Sequence, residues 1–169
     1  MSQISIEPRS PRRLTQDQLN NRIFFRLFQV ANVLQRQAMK QLGVSTVQWA
    51  VLGALSQDRF ASGIPFGDLT EYLVVSRQNL DGVIKRLERD KLVERVTEAN
   101  DRRARVVRLT SRGRKFWSEL LKRIYEFYDQ AAARFKFDER VALLHYLNQL
   151  QKDLLAVELS DKVAKIGKT

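Results

Sequence analysis

Apolar residues return every three or four positions along most of the chain, which is the spacing of an amphipathic helix. Polar or glycine-containing runs interrupt this pattern, and Thr15 and Ser76 stand where a hydroxyl can cap the helix that follows. The chain is therefore predicted to be mainly helical. The predicted helices span Thr15–Leu42, Ser45 or Thr46 to the polar run at Gln57, a short stretch after Pro65, Arg77–Asp90, Ser111–Phe135 and Asp138–Leu159.

The period of the pattern changes after the fourth predicted helix. Two runs rich in valine and threonine, Leu92–Thr97 and Arg105–Leu109, have the composition of short strands. The polar segment Glu98–Ala104 joins them and is longer than a tight turn requires, a feature typical of functional loops. The predicted fold class is therefore mainly α with a small β-hairpin wing.

The segment from Pro65 to the hairpin has the order of a winged helix-turn-helix: a short helix, a turn, an amphipathic helix and a basic hairpin. In such a unit the second helix lies in the major groove of DNA and presents its polar side to the bases. Its predicted apolar side carries Leu80, Val83, Ile84 and Leu87. Its predicted polar side carries Gln78, Gly82, Lys85 and Arg89, flanked by Asn79 and Arg86.

Gly82 lies in the middle of this helix, where glycine is less favourable than alanine by about 0.5–1 kcal/mol. A groove-facing position explains that choice, because the backbone can then approach a base or a thymine methyl closely. The alternative is a solvated polar face that has no partner.

Positive charge is concentrated near the hairpin. The chain has 30 Lys+Arg and 19 Asp+Glu, a formal net charge of +11. Arg102 to Lys115 contains basic residues and no acidic one, as phosphate neutralisation by a wing requires. Asp101 is placed to hold the Arg103 guanidinium in one rotamer for insertion into a minor groove. The alternative is a surface ion pair that has no role in DNA binding.

Composition excludes several other classes. The chain has no cysteine and one histidine, His145, which argues against disulfides, thiol chemistry, metal sites and cofactors. No apolar run approaches the length of a membrane helix and no signal peptide is visible, so a cytoplasmic protein without membrane contact is expected. A non-specific architectural or RNA-binding protein remains the alternative function. An enzyme is disfavoured because no phosphate loop or nucleophile motif is present.

The terminal helices carry more apolar surface than a single small core needs. Phe24, Phe25 and Phe28 surround the stripe of the first helix, and Phe116 and Trp117 lie on the fifth. Packing against a second copy accounts for this surface, whereas a thick core is the alternative. The predicted organisation is a flexible basic arm at 1–14, dimerisation helices at 15–44 and 111–159, a winged helix-turn-helix DNA-binding domain at 45–110 and a basic tail at 160–169.

Three motifs resemble the MarR family of winged-helix transcriptional regulators: Leu80-(x6)-Leu87-Glu88 followed by Leu92-Val93-Glu94-Arg95, then Asn100-Asp101-Arg102-Arg103, and Leu109-Thr110-(x2)-Gly113. The resemblance implies a homodimer that reads a pseudo-palindromic operator in double-stranded DNA and a repressor relieved by a small-molecule effector. Asp81 and Lys91 depart from the family pattern, which often has serine or threonine and glycine there. The predicted DNA-binding residues are Ser76, Arg77, Gln78, Asn79, Gly82, Lys85, Arg86, Asp101, Arg102, Arg103 and Arg105.

The absence of cysteine argues against an oxidant sensor, and the single histidine argues against a zinc sensor. The resemblance implies an effector site between the dimer helices and the DNA-binding lobe, and an aromatic carboxylate or phenolic compound is the expected effector. The alternative is that the aromatic residues of the predicted site form the core and that Arg26 is an interface residue. The candidate ligand-binding residues are Phe24, Phe28, Trp49, Trp117 and Tyr128 as walls and Arg22 or Arg26 as the anion anchor.

Overall fold

The first helix begins at a capping box. In the computed structural model, which describes residues 15–98 and 101–159 but not the side chains of 97, 98 and 101–105, α1 spans Gln16–Gln37. The Thr15 hydroxyl accepts from the Gln18 amide at 3.3 Å, and the Gln18 side chain accepts from the Thr15 amide at 3.2 Å. A π-helical turn, Ala38–Leu42, continues α1 to Gly43, whose φ of 73° ends it. The predicted helix over Thr15–Leu42 is confirmed.

The elements that follow α1 form a small cluster of helices that contact one another. A second capping box, Ser45 with Gln48, starts α2 at Thr46–Leu55. A short 3₁₀ turn, a two-residue strand and two helices then complete the helix-turn-helix. The two helices were predicted, whereas the 3₁₀ turn and the strand were not. Their bounds are Asp58–Phe60 for the 3₁₀ turn, Ile64–Pro65 for β1, Phe66–Leu73 for α3 and Arg77–Arg89 for α4.

The hairpin belongs to a three-stranded antiparallel sheet of order β1-β3-β2. β2 spans Val93–Glu98 and β3 spans Asp101–Leu109. The predicted long loop at Glu98–Ala104 is wrong, because β3 already begins at Asp101 and pairs with Glu98 after a register shift. The shift explains the error, since an irregular ladder has no clean alternation for the sequence to show. Ala99 and Asn100, like the predicted arm at 1–14 and tail at 160–169, lie outside the described residues.

One apolar core holds the helix-turn-helix to the sheet. The inner sides of α2, α4 and the sheet meet there, and α4 buries the face that its spacing predicted. β1 adds Ile64, which pairs with Val107 of the central strand. The side chains that are almost fully buried are Val51, Leu52, Leu69, Leu80, Ile84, Leu87, Val106, Val107 and Ile124.

Two further helices follow the sheet. α5 spans Ser111–Ala131 and α6 spans Phe137–Leu155, so both end about four residues before their predicted C-termini. The chain divides inside α5 into two compact units, one ending at Ile124 and one beginning at Tyr125. In the second unit, the Arg140 guanidinium donates to the Ala132 carbonyl at 2.9 Å and to the Phe135 carbonyl at 3.2 Å, which fixes the turn before α6.

Two residues without a glycine's freedom adopt left-handed backbone conformations. Val74, at the end of α3, has a φ of 52°, and Lys91, after α4, has a φ of 60°. The Lys91 amide donates to the Glu88 carbonyl and the Leu92 amide to the Leu87 carbonyl, both at 2.9 Å, so the turn closes without glycine. No helix among the described residues is both long enough and apolar enough to cross a bilayer.

Candidate DNA-binding surface

The polar side of α4 forms a continuous exposed surface. Arg77, Gln78 and Asn79 are exposed in its first turn, and Lys85 and Arg86 are exposed two turns later. Because the opposite side is buried in the core, the core fixes which side chains this helix presents. The structure therefore brings the predicted recognition residues of α4 together on one surface.

Ser76 has a structural role at the start of α4. Its hydroxyl accepts a hydrogen bond from the Asn79 backbone amide at 3.2 Å and so caps the helix. This contact fixes the first turn, in which Arg77, Gln78 and Asn79 are exposed. Its proposed contact with DNA would come in addition to this cap.

Gly82 has open space beside it. A methyl group in place of its hydrogen would have one neighbour within 4 Å, the tip of the Arg86 side chain at 3.7 Å. The folded chain therefore does not itself require glycine at this position. Only a partner that approaches α4 from outside would require a small residue at this position.

Asp81 ties α4 to the wing. Its Oδ1 accepts from Nη2 of Arg95 on β2 at 2.7 Å, and its Oδ2 pairs with Nζ of Lys85 at 2.7 Å. The hydrogen bond from Lys85 and then that from Arg95 lower the pKa of the Asp81 carboxyl below its ordinary value. Asp81 is thus an ionised group whose two oxygens both have cationic partners within the chain.

Phe66, half-buried at the start of α3, contacts two arginines of neighbouring elements. Its ring lies 5.8 Å from the guanidinium carbon of Arg77 and 5.7 Å from that of Arg95. These distances are in the range of cation–π attraction, so one ring connects α3 with both α4 and β2. The sequence holds no periodic signal for this contact, because it joins three separate elements.

The wing is less uniformly basic in space than in sequence. Arg108 lies directly opposite Glu94 in the β2–β3 ladder, and its Nε donates to Glu94 Oε1 at 2.8 Å. The predicted run of uncompensated charge from Arg102 to Lys115 is therefore wrong at Arg108. Cross-strand pairing brought in an acid from outside the run. The backbone of Asp101, Arg102, Arg103 and Arg105 lies in β3, and their side chains are outside the described residues, so their roles stay predictions.

Hydrogen bonds and a close backbone contact join the wing to α5. The Thr110 hydroxyl donates to the Lys91 carbonyl at 2.7 Å and accepts from the Gly113 amide at 2.9 Å. The α carbon of Gly113 packs against the Leu92 carbonyl so closely that a methyl group would overlap its oxygen. This contact explains the Leu-Thr-x-x-Gly motif: threonine caps α5, and glycine lets the helix approach Leu92, the residue just before β2.

The predicted ligand residues lie on three helices, and their shared role in ligand binding stays a prediction. Arg22, Phe24, Arg26 and Phe28 are all exposed on α1. Trp49 on α2 and Trp117 on α5 are half-buried, and Tyr128 belongs to the second unit.

Trp117 lines a cavity of about 190 Å³ in the first unit. Leu55, Leu109 and Arg114 line the same cavity. Nη1 of Arg114 donates to the Leu109 carbonyl at 3.0 Å, which holds the guanidinium at the cavity wall. Sequence reasoning assigned Arg114 to the basic run and missed its place beside Trp117.

A capped helix with an exposed polar face, a preceding short helix and an antiparallel wing together define a winged helix-turn-helix DNA-binding protein. The chain belongs to the MarR family of transcriptional regulators. The MarR family model matches residues 42–104. The transcriptional activatory protein BadR of Rhodopseudomonas palustris is 46% identical over 134 residues, which cover 77% of this chain and 77% of that protein.

Other relatives agree with this assignment. The homoprotocatechuate degradative operon repressor of Escherichia coli is 29% identical over 68% of this chain and 75% of its own length. A probable transcriptional regulator from Pseudomonas aeruginosa superposes with a TM-score of 0.69 at 26% identity, covering 78% of this chain and 98% of that one. The predicted family and fold class are confirmed, and the family consists of non-enzymatic DNA-binding proteins.

Proposed function

We propose that this chain is a sequence-specific repressor that binds a pseudo-palindromic operator as a homodimer in the cytoplasm and leaves it when a small organic effector binds. The polar face of α4 carries the proposal, because Gln78 and Asn79 have the donors and acceptors that read base edges. Arg77 and Arg86 on the same surface supply phosphate contacts. A second candidate is activation, favoured by the 46% identical relative that is named as an activator.

The homodimer is supported by apolar residues that lie exposed on α1 and α6. Phe25 and Phe28 on α1 are 62% and 64% exposed, and Leu144 and Tyr146 on α6 are 60% and 66% exposed. Neither helix has a buried residue of its own. Exposed apolar surface of this kind is typical of an interface, and a second copy would cover it.

Sedimentation equilibrium tests the dimer. The wild-type chain is expected to sediment as a dimer at micromolar concentration, and Leu144→Glu is expected to shift it toward monomer, because a carboxylate would be buried without a partner. Gln151→Glu adds the same charge at an exposed position of α6 and serves as the control. A monomeric wild type would contradict the proposal.

An aromatic carboxylate or a phenol is the proposed effector class. One relative is named as the repressor of an operon that degrades homoprotocatechuate, an aromatic compound. In this chain, the Trp117 ring and the Arg114 guanidinium line one cavity and offer an apolar wall beside a cation. Arg22 and Arg26 are exposed on α1. A second copy that packs on α1 would enclose them in an interface, where either could serve as the anion anchor.

Effector release is measured by fluorescence anisotropy on a duplex selected from random sequence. Aromatic acids and phenols are expected to release the protein from this duplex. Arg114→Gln is expected to raise the half-release concentration about tenfold, because a charge-assisted hydrogen bond to the carboxylate is lost. Arg26→Gln, measured in parallel, distinguishes the two anchors. Unchanged DNA binding with every compound would contradict an aromatic effector.

A further inference from the structure

The basic residues on the exposed side of α4 and the adjoining strand differ in their partners. Among ion pairs between described residues, Lys85, Arg89 and Arg95 take part, whereas Arg77 and Arg86 do not. Arg77 and Arg86 are therefore available to phosphate without breaking a described ion pair. Lys85 must exchange an existing partner for phosphate.

Lys85 belongs to a group that we name the Asp81 cluster, defined as Asp81, Lys85, Glu88 and Arg95. Asp81 pairs with both basic members at 2.7 Å, and Nε of Arg95 also lies 3.8 Å from Oε1 of Glu88. Two acids and two bases make the cluster neutral. Arg95 has two acidic partners, Asp81 and Glu88. Among the described residues, Lys85 forms its ion pair with Asp81.

This pairing has different consequences on different DNA. Non-specific binding depends almost entirely on phosphate neutralisation, with freedom for lysines to choose among phosphates. A specific complex has its register fixed by base contacts, so a freed lysine gains less there. An acid that restrains one lysine therefore weakens non-specific binding more than specific binding.

We propose that Asp81 is a specificity-determining residue that holds Lys85 away from phosphate and so limits non-specific DNA binding. This inference rests on the sequence-specific binding proposed above. Asp81 also positions the wing strand through Arg95, which any test has to separate from its effect on Lys85.

The state of Asp81 does not change near neutral pH. The hydrogen bond from Lys85 lowers the pKa of the Asp81 carboxyl most, and the hydrogen bond from Arg95 is the next largest cause. The Asp81–Lys85 ion pair is therefore fully formed above the ordinary aspartate pKa of about 4 and is lost only as the pH falls through the lowered value. The restraint on Lys85 is thus expected to be constant between about pH 6 and pH 8.

The test measures how the affinity of the full chain for a scrambled duplex and for a selected duplex depends on salt. Asp81→Asn is expected to raise affinity for the scrambled duplex about two- to fivefold per subunit, as an exposed ion pair allows. The slope of log affinity against log salt is expected to steepen by about one unit per subunit, because one more phosphate is neutralised. The selected duplex is expected to change less, so the ratio of the two affinities falls.

Further variants separate the causes. Asp81→Asn in a Lys85→Gln background is expected to lose the steeper slope, whereas a slope that stays steep would overturn the role of Lys85. Asp58→Asn removes the same charge from the 3₁₀ turn, outside α4 and the wing. An equal effect of this variant on affinity and slope would show that net charge alone causes the change. Asp81→Ser repeats the test if the asparagine variant does not fold. An unchanged scrambled-duplex slope in both Asp81 variants overturns the proposal, while a wild type that does not distinguish the duplexes overturns the proposed function instead.

Discussion

Replacing Gly113 by alanine is expected to lower the melting temperature by about 10 °C or to prevent folding. A methyl group at this position would overlap the Leu92 carbonyl oxygen and lie 2.9 Å from the Leu92 carbonyl carbon. Both are backbone atoms of the residue just before β2, so no side chain can rotate away to relieve the overlap. We expect a loss of about 3 kcal/mol or more in the free energy of unfolding, because α5 and the wing would have to separate.

Gly67→Ala is the matched control for this prediction. Gly67 lies inside α3, and a methyl group there would have no neighbour within 4 Å. The same substitution is therefore expected to leave stability unchanged or to raise it by up to about 1 kcal/mol through helix propensity. Thermal and urea unfolding of both variants measure the difference. Equal melting temperatures for Gly113→Ala and the wild type would show that α5 does not pack against Leu92 as described.

Replacing Gly82 by alanine is expected to affect folding and DNA binding in opposite directions. The free chain should gain about 0.5–1 kcal/mol in stability, because alanine favours the helix and the added methyl group meets only the end of Arg86. Affinity for a selected duplex should fall about tenfold or more, which corresponds to about 1.4 kcal/mol, because the methyl group keeps α4 from the base edges.

The two measurements for Gly82→Ala are a thermal shift without DNA and an anisotropy titration with the selected duplex. A scrambled duplex is the internal control, and its affinity should change little because non-specific binding depends on phosphate contacts. A variant that is more stable and binds the selected duplex like the wild type would show that α4 does not approach DNA at Gly82.

Patterns within one element were the features that sequence reasoning predicted well. The spacing of Leu80, Val83, Ile84 and Leu87 predicted the buried side of α4, and these are the residues that the structure buries. The caps at Thr15 and Ser76 were predicted for the same reason, since a cap depends on residues three positions apart. Local periodicity is thus sufficient to predict which side of α4 is exposed.

Contacts between elements were the features that the sequence could not show. The Asp81–Arg95 pair and the Glu94–Arg108 pair each join residues fourteen positions apart on different elements. The first depends on how α4 packs beside β2, and the second depends on the register of β2 and β3. Strand β1 has two residues, one of them proline, so it carries no period at all. The cavity lined by Arg114 and Trp117 also has walls from α2 and β3, so it could not be read from the pattern of one element.

The central claim is that the polar face of α4 reads the sequence of duplex DNA. The measurement that tests it most directly compares, at one physiological salt concentration, the affinity of the full chain for a selected pseudo-palindromic duplex, for a scrambled duplex of equal length and for a structured RNA. We expect the selected duplex to bind about a thousandfold more tightly than either competitor. Equal affinities for all three would contradict the claim and would identify the chain as a non-specific nucleic-acid-binding protein.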